Sequence, residues 1–160
     1  MRYVMKQKLF AFGDDFTIKD ENGRDCYFVD GKAFSIGDKL SFQDMHGNEL
    51  ARIEQKVLTL GTKYRILRDG RPVATVKKKL FTFFRDVFDV EDAAAGELDA
   101  TGDFIDHEYR FTRDGNPIAT VSKKFFSWTD TYGVEIAEGE DDVLILACAV
   151  VIDMCCHDER

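Results

Sequence analysis

The chain has no long apolar run. Its longest stretch without a polar residue is ten residues, 143–152, about half of the roughly 20 that span a bilayer. No apolar stretch follows the charges of Met1-Arg-Tyr-Val-Met-Lys-Gln-Lys8, so the N-terminal residues do not read as a secretory signal. Cysteine is scarce: Cys26, Cys148, Cys155 and Cys156. None of the spacings is that of a metal site or a C-x-x-C redox pair. A reduced, cytoplasmic setting is the simplest account. Histidine is scarcer still, with His46 in a turn, His107 before a strand and His157 in the tail. They share no ligand spacing, so each is expected at a turn or on the surface, and no metal is expected. G-x-S-x-G, S-x-x-K, Walker A and G-x-G-x-x-G motifs are all absent, which leaves no catalytic residue and no cofactor to assign. Positive charge is in deficit, with a net charge of -8. That opposes indiscriminate binding to nucleic acid or to an anionic membrane.

What is present is a core. Hydrophobic residues make up 44% of 160 positions, 14 of them Phe, enough for one domain over 1–160. The run Val143-Leu-Ile-Leu-Ala-Cys-Ala-Val-Val-Ile152 has no polar face at any helical phase. A helix apolar all round must be wrapped. It follows Glu138, Glu140, Asp141 and Asp142. Asp141 or Asp142 is the natural N-cap, and acidic neighbours suit the positive end of a helix dipole.

The remainder carries a repeat. Tyr64-Arg-Ile-Leu-Arg-Asp-Gly-Arg-Pro-Val-Ala-Thr-Val-Lys-Lys-Lys-Leu-Phe81 returns as Tyr109-Arg-Phe-Thr-Arg-Asp-Gly-Asn-Pro-Ile-Ala-Thr-Val-Ser-Lys-Lys-Phe-Phe126. A weaker copy begins at Asp44 and an outlying one at Asp20. Each centres on an Asp/Asn/Gly turn flanked by Val, Ile, Thr, Phe and Tyr, as hairpins are. Strands are expected near 3–8, 16–19, 24–29, 32–35, 39–43, 49–56, 57–60, 63–67, 72–79, 80–90, 98–101, 104–112, 117–124 and 125–136, with 91–96 as a loop. Alternation places Ala51/Ile53, Ala74/Val76 and Ala119/Val121 on one face, pointing inward. Small Ala there fits a helix lying close against the strands. These readings predict a mainly β fold, an antiparallel barrel over 1–137 closed around a buried helix at 142–156.

Several residues stand out within that frame. Lys77, Lys78 and Lys79 run consecutively, and Lys123 and Lys124 repeat them. Together they are candidate ligands for an anionic head group, weighed against lysines that only solubilise strands. Lys78 and Lys123 fall in phase with the inward positions, so they belong near the barrel mouth with polar partners. Asp153 is the one charge in the apolar helix. It is expected to accept a hydrogen bond from a barrel residue or backbone amide, with Lys123 as the suggested partner.

The segment Ser122-Lys-Lys-Phe-Phe-Ser-Trp-Thr-Asp-Thr-Tyr-Gly-Val-Glu-Ile136, the acidic lead and the terminal helix with one Asp resemble the LURP-one-related family. So do Phe34-Ser-Ile-Gly-Asp-Lys-Leu40 and Asp44-Met-His-Gly47. That family is grouped with tubby C-terminal domains and phospholipid scramblases. The resemblance implies a tubby-like barrel of about twelve strands with the helix through its axis, and no catalytic residues. It also implies a non-enzymatic binding or scaffold module. By analogy of fold alone, the partner is a phospholipid head group, met peripherally at a membrane. The alternative is a protein-interaction or structural role with no lipid. An enzyme is the third reading, and it would need a polar pocket.

Overall fold

The computed structural model describes residues 1–6, 15–31, 39–58, 61–78, 87–92, 96–126 and 130–157. Twelve strands form the wall: β1 (Arg2–Lys6), β2 (Phe16–Asp20), β3 (Asp25–Asp30), β4 (Lys39–Asp44), β5 (Glu49–Leu58) and β6 (Gly61–Arg68), then β7 (Arg71–Lys78), β8 (Val87–Asp92), β9 (Gly96–Asp103), β10 (Glu108–Arg113), β11 (Asn116–Ser122) and β12 (Thr131–Ile136). Each strand pairs antiparallel with its neighbours in sequence, and β1 closes the ring on β12. One helix, α1 (Asp142–His157), follows.

The hairpins turn as their residues require. Asp69-Gly70 and Asp114-Gly115 both take positive φ at both positions, the conformation of a two-residue hairpin turn that matches strand twist. The turns after β2 and β4 are closed differently. Asp20 Oδ1 accepts from the amides of Asn22 and Arg24, and Asp44 Oδ1 from those of His46 and Asn48. All four of these hairpins shift register beside the turn. Such a bulge bends the strand and increases its twist, which helps a sheet curl into a barrel.

The expected faces are those observed. Ala51, Ile53, Ala74, Val76, Ala119 and Val121 are all buried, as is every residue of α1 from Leu144 to Ile152. The helix is the filling of the barrel, packed on β5, β6 and β12. Asp141 is its N-cap, with Oδ1 accepting from the Leu144 amide at 3.1 Å.

Several boundaries differ from expectation. The break expected between residues 56 and 57 is absent, since β5 runs unbroken to Leu58, and residues 59–60 lie outside the described residues. Residues 104–107 are a turn, and β10 begins at Glu108. After Ser122 the chain leaves the sheet for a single 3-10 turn, Lys123–Phe125, and the last strand starts only at Thr131. Phe, Trp and Lys support a strand there, but the Ser122 hydroxyl accepts from the Lys124 amide at 3.0 Å and caps the turn. Ser122, which follows the inward Val121 and by alternation belongs to the outer face, is buried. The start of β8 at Val87 leaves the strand expected from residue 80 mostly outside the described residues. The strand at 32–35 lies outside them altogether.

Candidate functional site

The acidic lead of α1 is clasped by the repeat itself. Arg68 and Arg113 occupy the same position in the two best copies, at the ends of β6 and β10. Arg68 grips Asp141 with both terminal nitrogens, at 2.6 and 2.7 Å, and Arg113 donates to Glu140 at 2.8 Å. Tyr3 donates to Asp142. Burial works against the charged form of Asp141. The Arg68 hydrogen bonds and the helix amides outweigh it and hold the carboxyl below its ordinary range. Burial, then the Asp142 hydrogen bond, raises the Tyr3 hydroxyl far above the usual phenol range.

At the other end of the helix lies the interior polar cluster. Asp153 is 1% exposed. As a carboxylate it only accepts, and two barrel side chains donate to it. His107 Nε2 stands 2.9 Å from Oδ1, and the Tyr132 hydroxyl bonds Oδ2. The His107 ring stacks on Tyr132, with centroids 4.3 Å apart and planes at 23°. Burial first, then the nearby Asp153 carboxylate, drives the Tyr132 hydroxyl well above its ordinary range, so it remains a donor. Tyr109 is raised by the same two causes.

The buried partners expected for Asp153 are therefore present, but Lys123 is not one of them. Lys123 belongs to the 3-10 turn and reaches outward to Asp106, 3.6 Å away. The strand alternation that aimed it inward ends one residue earlier. His107 is likewise not a surface histidine. It is 2% exposed and takes φ of 54° at the end of the turn 104–107. His is among the few residues enriched in that left-handed region. A signal for it existed in the sequence: 107, 109 and 111 share one parity, and Tyr109 and Phe111 face the core.

The candidate head-group lysines divide. Lys77 and Lys78 end β7, half-buried, and Lys77 Nζ is 3.2 Å from Glu91 Oε1. Lys123 and the exposed Lys124 follow β11. Lys79 lies outside the described residues. Strands β7 and β11 are four steps apart in the ring, about 19 Å around the wall at ~4.8 Å per step. The two pairs share one end of the barrel but do not form one cluster. A surface recess of about 510 Å³ lies against β1, β11 and β12, lined by Arg2, Glu21, Ile118, Thr120 and Glu135. No group of three or more His, Cys, Asp or Glu side chains poised for a metal exists among the described residues. No helix there is long and apolar enough to cross a membrane.

Comparison with known proteins places this geometry. The chain is 39% identical over 156 residues to the uncharacterized protein YxjI of Bacillus subtilis (strain 168), covering 98% of this chain and 94% of that one. Its fold matches the X-ray structure of an Arabidopsis thaliana protein with a TM-score of 0.72, over 96% of this chain and 91% of that one, at 16% identity. The LURP-one-related profile matches residues 1–153. The chain belongs to the LURP-one-related family.

Proposed function

We propose that this protein is a non-enzymatic binding or scaffold module that presents its outer wall and loops to a partner. The supporting observation is the filled interior: Leu144 to Ile152 are each at most 4% exposed. A barrel filled by its own helix leaves its lumen no space for a substrate. Its inner ionisable cluster, Asp153, His107 and Tyr132, is shut off from solvent. Recognition then falls to the surface.

The partner we favour is an anionic phospholipid head group, taken by Lys77 and Lys78 with Lys123 and Lys124 further round the same end. Each lysine near an anionic surface contributes about 1 kcal/mol. Co-sedimentation with anionic vesicles tests this, comparing the native chain with charge reversals at Lys77, Lys78, Lys79, Lys123 and Lys124. Loss of binding in the reversed chain is the expected result. Equal binding removes those residues from the reading, and no binding by either chain removes the head group. A second reading, a protein scaffold without lipid, draws support from the separation of the two lysine pairs. The engagement of Lys77 by Glu91 and of Lys123 by Asp106 also favours it.

A further inference from the structure

The register of the wall brings together lysines from three successive strands. Lys56 on β5 stands directly opposite Lys63 on β6, and Lys63 directly opposite Lys77 on β7. All three alternate with the inward residues Ile53, Tyr64 and Val76, so they share the outer face. At strand spacing, the row spans about 10 Å. Like charges directly opposite one another destabilise a ladder. Two successive like-charge pairs occur here in a chain whose net charge is -8. Lys77 is offset by Glu91 at 3.2 Å and stands directly opposite Asp89 of β8. In the row of pairs next to these, Arg65 and Glu54 neutralise one another at 3.5 Å. Lys56 and Lys63 have no hydrogen-bond or ion-pair partner among the described residues.

The second copy of the repeat supplies an internal comparison. There, Glu108 occupies the position of Lys63, and Ser122 that of Lys77. Ser122 donates to both Glu108 oxygens, at 3.0 and 2.8 Å. The same hairpin position that holds a satisfied pair in one copy holds opposed lysines in the other. The backbone therefore does not require lysine at that position.

We propose that the row Lys56–Lys63–Lys77 is a binding site for a phosphate-ester anion. A phosphate monoester carries nearly two negative charges and three strong acceptor oxygens. Three flexible ammonium groups side by side match both its charge and its acceptors, as lysine does at other phosphate sites. On the β7 side the row ends against Asp89 of β8, directly opposite Lys77, with Glu91 bonded to the same lysine; a row this short suits a single phosphate group and not the backbone of a nucleic acid. The proposal rests on the binding-module reading above and moves its site from the barrel end to the β5–β7 wall.

The test uses the full chain and Lys63→Glu. Each is titrated with glycerol phosphate, with phosphatidylcholine vesicles, and with the same vesicles containing phosphatidic acid. Backbone amide shifts report on 55–57, 62–64 and 76–78, and a thermal melt is run without ligand. The expected result is glycerol phosphate binding at the row, weakened roughly tenfold or more by Lys63→Glu. The ligand-free variant should also melt at a higher temperature than the native chain, because the reversed charge lies between two lysines. Binding to both probes makes a lipid the source. Binding to glycerol phosphate alone sustains the site and removes the head-group reading. Vesicle binding unchanged by Lys63→Glu overturns the site and leaves the head-group reading standing. Absence of binding to both probes, or a lower melting temperature for the variant, overturns the proposal.

Discussion

The clearest energetic test concerns the buried carboxylate of Asp153. Tyr132→Phe keeps the ring and its stack on His107 but deletes one of the two donors to Asp153. A hydrogen bond to a charged group contributes about 1.5–3 kcal/mol, so the single change should destabilise by about that amount. Asp153→Leu instead leaves the Tyr132 hydroxyl and the His107 N–H buried without their acceptor. Each orphaned group costs about 1–3 kcal/mol, partly offset because the carboxylate no longer has to be desolvated. In that background, Tyr132→Phe removes an orphan and should stabilise the protein. The same substitution therefore changes sign with the residue at 153. The coupling energy over the cycle is about 2.5–6 kcal/mol, the sum of the bond lost in one background and the orphan removed in the other. Urea unfolding of the four proteins by far-UV circular dichroism, analysed with a common slope, measures it. If Tyr132→Phe costs the same in both backgrounds, within about 0.5 kcal/mol, the carboxylate and the phenol do not act as a unit and the reasoning fails.

Two further predictions concern the helix clasp and β12. Folding holds the Asp141 carboxyl below its ordinary 3.8, so its contribution is present above that pH and lost as pH falls through the folded value. Arg68→Met should be less stable than the native chain at neutral pH, and the gap should close in acid; a gap independent of pH would detach Arg68 from Asp141. At Gly133, an added Cβ would lie 2.7 Å from Phe126 Cε2 and 2.8 Å from Phe125 Cβ. Gly133→Ala should destabilise by about 1–3 kcal/mol as the aromatic pair is pushed off β12, and an unchanged urea midpoint would refute that contact.

Much of the architecture was legible because it rests on local rules. Alternation placed Ala51, Ala74 and Ala119 inward, and they are buried. Ten apolar residues without a polar face required wrapping, and the barrel wraps them. The Asp-Gly pairs marked their turns. What escaped depends on where a strand gives way to a turn. His107 reaches Asp153 because one residue takes a left-handed conformation at the foot of β10. Without that turn, parity alone cannot say whether a residue before a strand still points inward. Lys123 failed for the converse reason, since alternation predicts only while the strand lasts and a capped turn begins at Lys123. The partners of Asp141 and Glu140 were hidden too. Arg68 and Arg113 read as turn-flanking residues of a repeat until the helix passes beneath them.

The opposed lysines point to a more general division within the repeat. Positions facing the helix are constrained alike in both copies: Tyr64 and Tyr109, Ala74 and Ala119, Val76 and Val121 are identical and buried. The clasp arginines are also kept, because the two hairpins hold one acidic segment between them. The outer face has no such shared task. Lys63 corresponds to Glu108, and Lys77 to Ser122, which is buried and caps the 3-10 turn at the end of β11. A barrel sealed by its own helix fixes its inner residues through packing and leaves its outer ones free to differ. Where an outer position is left in an electrostatically unfavourable state that its own counterpart avoids, packing supplies no reason for it. On the proposal above, Lys56 and Lys63 of the β5–β7 wall serve an anion that comes from outside the fold.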